Sequence, residues 1–222
     1  MRSKSYALRM SWAYLILLFG FVIAAVVVGF FGGRYVERGT IAAQSARLAM
    51  AVGALQSGDN RAALSSLKPM AHAGDPKAQY WLADMYENGL GVQPDMTAAI
   101  SLLDQSAQHG FVPAEQRLGE LYLYGNQTLQ DFDRARTWLH DAAVAGDGAA
   151  QRELGQIYAL GLGVPVDIPK AYGWYENAVL AGDGLAAHLR DDLVSRMSPG
   201  DMVKGEQLAR NIAAQIKRPK AA

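Results

Sequence analysis

Hydrophobic and polar positions follow two different patterns along the chain. Residues 10–33 contain no charged residue and are almost entirely apolar. Beyond residue 42, apolar side chains recur at helical spacing between polar ones, as at Ala78, Leu82 and Tyr86, which lie four residues apart. The first pattern predicts a helix in lipid, and the second predicts amphipathic helices that pack against one another.

The apolar stretch is long enough to span a membrane. As a helix, residues 10–33 rise about 36 Å, whereas the hydrocarbon core of a bilayer is about 30 Å thick. A cleavable signal peptide has a shorter apolar region and a small-x-small cleavage site, but this run ends in Phe30, Phe31, Gly32 and Gly33. We therefore predict one uncleaved transmembrane helix over residues 10–33.

The charges on either side of the span predict its orientation. Residues 1–9 carry three basic residues and no acid, whereas residues 34–38 carry two basic residues and one acid. Positive residues remain on the cytoplasmic side. The sequence thus predicts a single-pass protein with residues 1–9 as a cytoplasmic tail and the C-terminal domain on the other side of the membrane. Our working hypothesis is a bacterial inner membrane, in which that side is the periplasm.

Small residues recur every four positions within the span. Ala25, Gly29 and Gly33 form one such row, and Gly20 with Ala24 forms a second. Close backbone approach along a row of this kind favours helix self-association, so these residues are candidates for packing in a homodimer. The same pattern also arises from the composition of membrane helices alone.

The rest of the chain repeats with a period of 36 residues. The recurring residues are Gly74, Gly110, Gly146 and Gly182; Ala78, Ala114, Ala150 and Ala186; Leu82, Leu118 and Leu154; Tyr86, Tyr122 and Tyr158; Gly89, Gly125 and Gly161; and Asp95, Asp131 and Asp167. Each period reads as a helical hairpin with a core of these alanine, leucine and tyrosine columns. In the first complete period, Asp75 and Pro76 open one helix, Gly89 ends it and Asp95 caps the next.

These residues resemble Sel1-like repeats, which are relatives of the tetratricopeptide repeat. The stretch GDPKAQYWLADMYENGLGVQPDMTAA carries the Gly-Asp, Ala-Gln-Tyr and Gly-x-Gly-Val signatures of the family, and residues 126–129 depart from them. The resemblance implies an all-α, right-handed α-solenoid. We expect a linker at 34–41, an array at 42–217 with units near 42–73, 74–109, 110–145 and 146–181, a degenerate cap at 182–217, and a tail at 218–222.

The resemblance also implies where partners bind. In such arrays the first helix of each hairpin lines the concave side, and positions outside the buried columns are candidates for contact with protein segments. The alternative is an ordinary solvated face of mixed charge. The candidates are Tyr80, Trp81, Asp84, Gln116, Arg117, Glu120, Arg152, Glu153 and Gln156.

Composition removes several classes of function. The absence of cysteine excludes a disulfide scaffold and a cysteine-ligated metal site, and 21 basic residues against 21 acidic ones leave no basic footprint for nucleic acid. The four histidines share no column and no metal-binding spacing, and they read as surface residues. We expect no catalytic residue, no cofactor and no metal, and therefore no enzyme.

The sequence favours a membrane-anchored protein-binding adaptor or scaffold. By resemblance, its array recruits or regulates cell-envelope proteins, in roles such as assembly, secretion or polysaccharide export. One alternative is a glycan-binding or cell-wall-acting envelope protein that uses Trp81, Asp84 and Glu120. Another is a membrane scaffold that faces the cytoplasm.

Overall fold

A computed structural model of the chain describes residues 42–125 and 128–216, and their regular structure is helical. The chain divides into two compact units, Met1–Met50 and Ala51–Ala222. The predicted cytoplasmic tail, transmembrane helix, small-residue rows and linker lie outside the described residues. Across the two described ranges, no helix combines the length and apolarity needed to cross a bilayer.

Ten helices lie in the described part of the chain. Helix α1 covers residues 42–56. The others are α2 (Asn60–His72), α3 (Pro76–Asn88), α4 (Met96–Gln108), α5 (Val112–Tyr124), α6 (Phe132–Val144), α7 (Gly148–Leu160), α8 (Ile168–Leu180), α9 (Gly184–Val194) and α10 (Pro199–Gln215). Helices α3, α5, α7 and α9 begin exactly one period apart, as do α2, α4, α6 and α8, so the structure confirms the repeat of 36 residues.

Local chemistry sets the ends of these helices. Aspartate side chains accept backbone N–H bonds at the N-termini of α2, α3, α4, α6, α7, α8 and α9. At α3, the Asp75 carboxylate accepts from the amides of Lys77 and Ala78 at 2.9 and 3.0 Å. The helix ends at Gly89, whose φ of 67° is left-handed. The predicted bounds of this helix are confirmed.

The core of the second unit is distributed along the stacked hairpins. One cluster of buried residues extends from Ala83 in α3 to Ile212 in α10. The predicted alanine and leucine columns lie within the core, since Ala78, Ala114, Ala150 and Ala186 are inaccessible to solvent. Each hairpin thus buries its apolar face against its neighbours, as expected for a solenoid.

The tyrosine column is less buried than its position in the repeat predicts. Tyr122 is buried, but Tyr86 and Tyr158 are half-buried. Their rings reach the edge of the core, where cations from the second helices cover two of them. Arg134 Cζ lies 5.3 Å from the Tyr122 ring centre, and Lys170 Nζ lies 4.1 Å from that of Tyr158.

The loop after the first helix of a hairpin lies on the hairpin before it. A Cβ atom on Gly91 would lie 2.9 Å from Cβ of Asn60, the first residue of α2. One on Gly163 would lie 2.5 Å from Cβ of Phe132, the first residue of α6. Both glycines have positive φ, so conformation and space together favour glycine at these positions.

The two helices of a hairpin approach most closely at glycine. A Cβ atom on Gly155 in α7 would lie 2.4 Å from Cδ1 and Cε1 of Tyr175 in α8. At the equivalent position of the preceding hairpin, one on Gly119 would lie 2.5 Å from Cδ2 of Leu139. A methyl group at either position has no space unless the facing side chain or the helices themselves shift.

Gly155→Ala is therefore expected to lower the free energy of unfolding by about 1–3 kcal/mol, the usual range for overpacking. In a helix interior alanine is more favourable than glycine by about 1 kcal/mol, so helix propensity alone would predict the opposite change. Gly53→Ala is the matched control, because Gly53 lies inside α1 with no neighbouring atom within 4 Å of its Cβ position. Urea denaturation should show Gly53→Ala at least as stable as wild type. Equal stability of Gly155→Ala and wild type would contradict the prediction, because it would show that the Tyr175 ring or the two helices shift without cost.

Candidate functional site

The first helices of the hairpins carry a row of polar and aromatic side chains outside the core. Eight of the nine predicted partner-binding residues are half-buried: Tyr80, Trp81, Asp84, Gln116, Arg117, Glu120, Arg152 and Gln156. Glu153 differs, because its side chain is only 3% exposed and does not lie on a solvated face as expected. We call these nine residues, together with Glu87 and Tyr124, the first-helix band.

Arg117 connects α3 to α5 within the band. Its Nε donates to Glu87 Oε2 at 3.2 Å, its Nη2 donates to Glu87 Oε1, and its Nη1 donates to Glu120 Oε2 at 2.9 Å. The other oxygen of Glu120 accepts from Gln116 Nε2 at 2.7 Å. The Glu87 side chain is 5% exposed, so the guanidinium partners a nearly buried carboxylate. This pairing fixes the side chains between the first two Sel1-like units.

Arg152 makes the corresponding connection from α7 to α9. Its Nε donates to Asp183 Oδ2 at 2.9 Å, and its Nη2 lies 3.8 Å from Glu153 Oε1. Asp183 also caps α9, where it accepts from the amides of Leu185 and Ala186. The guanidinium is thus held by the carboxylate that begins the next hairpin.

Aromatic side chains form one end of the band. The ring of Tyr80 makes edge-to-face contacts with Trp81 at 5.3 Å and with Phe111 at 5.5 Å between ring centres. Trp81 therefore packs on its neighbour and remains half-exposed. Burial, with the negative charge of Asp84, raises the pKa of Tyr80 above its ordinary value.

Glu153 is a buried carboxyl group with little to stabilise its charge. Its Oε2 is buried and accepts no hydrogen bond. Burial, and then the negative charge of Glu120, raise the pKa of Glu153 to about 8, although Arg152 acts in the opposite direction. The group is therefore mainly protonated at neutral pH.

The sequence-based set omitted Glu87, Tyr124 and Asp183. Tyr124 is 49% exposed, and burial followed by the charge of Glu153 raises its pKa. A spacing signal was present, because Glu87 precedes Arg117 by 30 residues and Arg152 precedes Asp183 by 31. Opposite charges separated along the sequence by about 30 residues, which is five or six fewer than one period, therefore indicate contacts between consecutive hairpins.

Other candidate chemistry stays on the surface. His72, His109, His140 and His188 are exposed, as expected. Over residues 42–125 and 128–216, no group of histidine and acidic side chains has the arrangement to hold a metal ion.

The Sel1 repeat family matches three consecutive stretches, residues 76–111, 112–147 and 148–183. We call residues 76–183, the part of the chain that this family matches, the Sel1 array. Each matched stretch begins at the first residue of a first helix, two residues later than the units expected from the sequence. This Sel1 array contains α3 to α8 and all nine predicted partner-binding residues.

Two solved structures are similar to this chain. A Sel1 repeat protein from Oxalobacter formigenes is 37% identical over 68% of this chain, with a TM-score of 0.61. The protective antigen c5321 of uropathogenic Escherichia coli, which displays an SLR fold, is 23% identical over 81% of this chain, with a TM-score of 0.48. This chain spans 44% of the length of the first protein and 50% of the second. No curated protein matches the sequence. The repeats and the Oxalobacter structure confirm the predicted α-solenoid.

The buried Glu153 predicts a pH-dependent stability. Its pKa is about 8 in the folded chain and 4.5 in the absence of the fold, so the folded state binds the additional proton between these values. The free energy of unfolding should therefore fall as the pH rises from about 5 to about 9. The fall amounts to several kcal/mol, since one pKa unit corresponds to about 1.4 kcal/mol.

Glu153→Gln should remove this dependence and be more stable than wild type at about pH 9. Glu206→Gln is the control, because the Glu206 side chain is 53% exposed, and it should keep the wild-type slope. Urea denaturation of the three proteins across this pH range measures the effect. Identical slopes for wild type and Glu153→Gln would contradict the assignment.

Proposed function

We propose that this protein is a membrane-anchored adaptor whose Sel1 array binds and recruits, or regulates, proteins of the cell envelope. The observation that carries the proposal is the first-helix band. It extends over three Sel1 repeats, its ion pairs cross from one hairpin to the next, and its aromatic and arginine side chains remain partly open to solvent.

The composition of the band is that of a protein interface. Tryptophan, tyrosine and arginine are the residues that most often carry binding energy between proteins. The side chains of Arg117 and Arg152 are already held by carboxylates, so they lose little conformational entropy when a partner binds.

The membrane part of the proposal rests on residues 10–33. Their uncharged, apolar sequence supports an anchor, and the flanking charges support an array on the periplasmic side. An anchored array would hold its partners at the membrane. The homodimer expected from Gly20, Ala24, Ala25, Gly29 and Gly33 belongs to the same proposal.

Binding through the band is tested by capture from an envelope extract with the full-length chain as bait. A Trp81→Ala, Tyr124→Ala double variant should lose at least about tenfold of the captured partner, because about 1.4 kcal/mol of binding energy corresponds to tenfold. Leu180→Ala is the control, since Leu180 is an exposed side chain on the second helix α8. It should capture as much as wild type.

Equal capture by wild type and the double variant would contradict a binding role for the band. A glycan-binding or cell-wall-acting protein would give another result. It would retain cell-wall fragments, and an Asp84→Ala, Glu120→Ala variant would lose them while protein capture stayed at background.

Topology is tested by a reporter that is active only outside the cytoplasm, fused after Ala222. The proposal expects an active reporter on a full-length, membrane-bound chain. A shortened, soluble product would mean that the apolar segment is cleaved. An inactive reporter on a membrane-bound chain would favour the scaffold that faces the cytoplasm.

A further inference from the structure

We infer that the first-helix band binds a cationic segment of its protein partner, whose arginine or lysine side chains lie against Asp84 and Glu120. The inference rests on the proposed function, since it names the kind of protein surface that the Sel1 array recognises. It is carried by the distribution of charge in the band and by the surroundings of two of its carboxyl groups.

The band contains more acid than base. Besides Glu153, which is mainly protonated at neutral pH, three carboxyl groups belong to it, from Asp84, Glu87 and Glu120, against the two guanidinium groups of Arg117 and Arg152. Asp183, which pairs with Arg152 at the N-terminus of α9, adds a fourth carboxylate at its border. A partner of complementary charge is therefore cationic.

Both arginines are already engaged by acids of the band and its border. Arg117 lies between Glu87 and Glu120, and Arg152 donates to Asp183. The charge of Arg117 only partly offsets the effects on Asp84, which forms no ion pair within the described residues and accepts from Asn88 Nδ2 at 2.8 Å. Burial and the nearby charge of Glu87 raise the pKa of Asp84. A cation placed beside Asp84 would relieve this destabilisation.

Glu153 supplies an independent observation at the other end of the acidic row. Its Oε2 is buried without a hydrogen-bond donor, and the charge of Glu120 acts on it directly. The groups that influence it are Glu120 from α5, Arg152 beside it on α7, and the capping residues Asp147 and Asp183; Tyr124 from α5 also lies within its field. Three of these neighbours are acids and one is a base. Arg152 alone therefore does not balance the negative charge around this position, and a basic partner would add positive charge.

The aromatic residues fit the same partner. Tyr80 and Trp81 precede Asp84 on α3 by about one helical turn, and the charges of Asp84 and Glu153 act on Tyr80 and Tyr124. Guanidinium and ammonium groups bind on aromatic faces next to carboxylates, and this chain already uses that contact at Tyr122 and Tyr158. A divalent metal ion is a poor alternative, because the acids of the described ranges are not grouped as metal ligands.

The test uses the full-length chain in detergent micelles and three fluorescent peptides of one length. They share a glycine–serine background with leucine and carry arginine, glutamine or glutamate at the same positions. The arginine peptide should bind at least about tenfold more tightly than the glutamine peptide, and the glutamate peptide more weakly still. High salt should weaken the binding of the arginine peptide most, because it screens interactions between partly exposed charges.

Variants connect this preference to the band. Asp84→Asn, Glu120→Gln keeps the shapes of the side chains and removes two negative charges, and it should weaken the arginine peptide about tenfold. Asp104→Asn, Asp133→Asn removes the same charge from the second helices α4 and α6 and should bind like wild type. Circular dichroism of each variant verifies the fold.

The affinity for the arginine peptide, measured at several pH values, separates this inference from a general attraction between opposite charges, which would not depend on Glu153. A cation beside Glu120 stabilises ionised Glu153, so binding releases a proton and becomes tighter as the pH rises from about 6 to about 8. We expect a severalfold increase in wild type and none in Glu153→Gln.

The inference would be overturned by equal binding of the arginine and glutamine peptides, or by equal losses in the two double variants. These results leave the adaptor role intact if wild type still captures an envelope partner. Conversely, if the arginine peptide binds as expected while no envelope protein is captured, the charge preference stands and the adaptor role fails.

Discussion

Close contact between helices at alanine and glycine positions is the constraint on which the other features depend. At Gly155, the ring of Tyr175 occupies the space that a side chain would need, and Ala78 and Ala99 have no exposed surface. Such contacts let the helices approach one another closely, since a small side chain at the contact shortens the distance between helix axes. Because the hairpins stack in one geometry, the first helices stand at a fixed spacing, and Arg117 can reach carboxylates on both its own helix and the preceding one.

Most of the fold could be predicted because its signals are local and repeated. A capping aspartate, a proline in the first turn and a glycine after the last turn each act within a few residues, so the bounds of α3 were readable from one period. Repetition at 36 residues then gave the position of the following hairpins. The cap of the array follows the rule less closely, since α10 begins at Pro199 with Ser198 as its capping residue.

The candidate site was predictable in outline but not in its electrostatics. Spacing along a helix identifies residues outside the core, and it correctly separated Arg117 and Glu120 from the buried columns. This spacing gives no information about which side chains of the neighbouring hairpin contact a residue. Glu153 occupies the position equivalent to the half-exposed Trp81 and Arg117, yet its own surroundings bury it and raise its pKa. Glu87 was omitted for the same reason, because its partner lies on another helix.

The contact of the Gly91 and Gly163 loops with the preceding hairpin has a consequence for how such arrays evolve. Each loop is matched to the first residue of a second helix that belongs to the previous unit, Asn60 in one case and Phe132 in the other. Gene duplication or deletion of a whole period preserves this match, whereas a change of any other length separates the two partners. The array is therefore expected to lengthen or shorten by complete periods. A unit that carries a glycine equivalent to Gly91 or Gly163 is expected to descend from a unit that already followed another one.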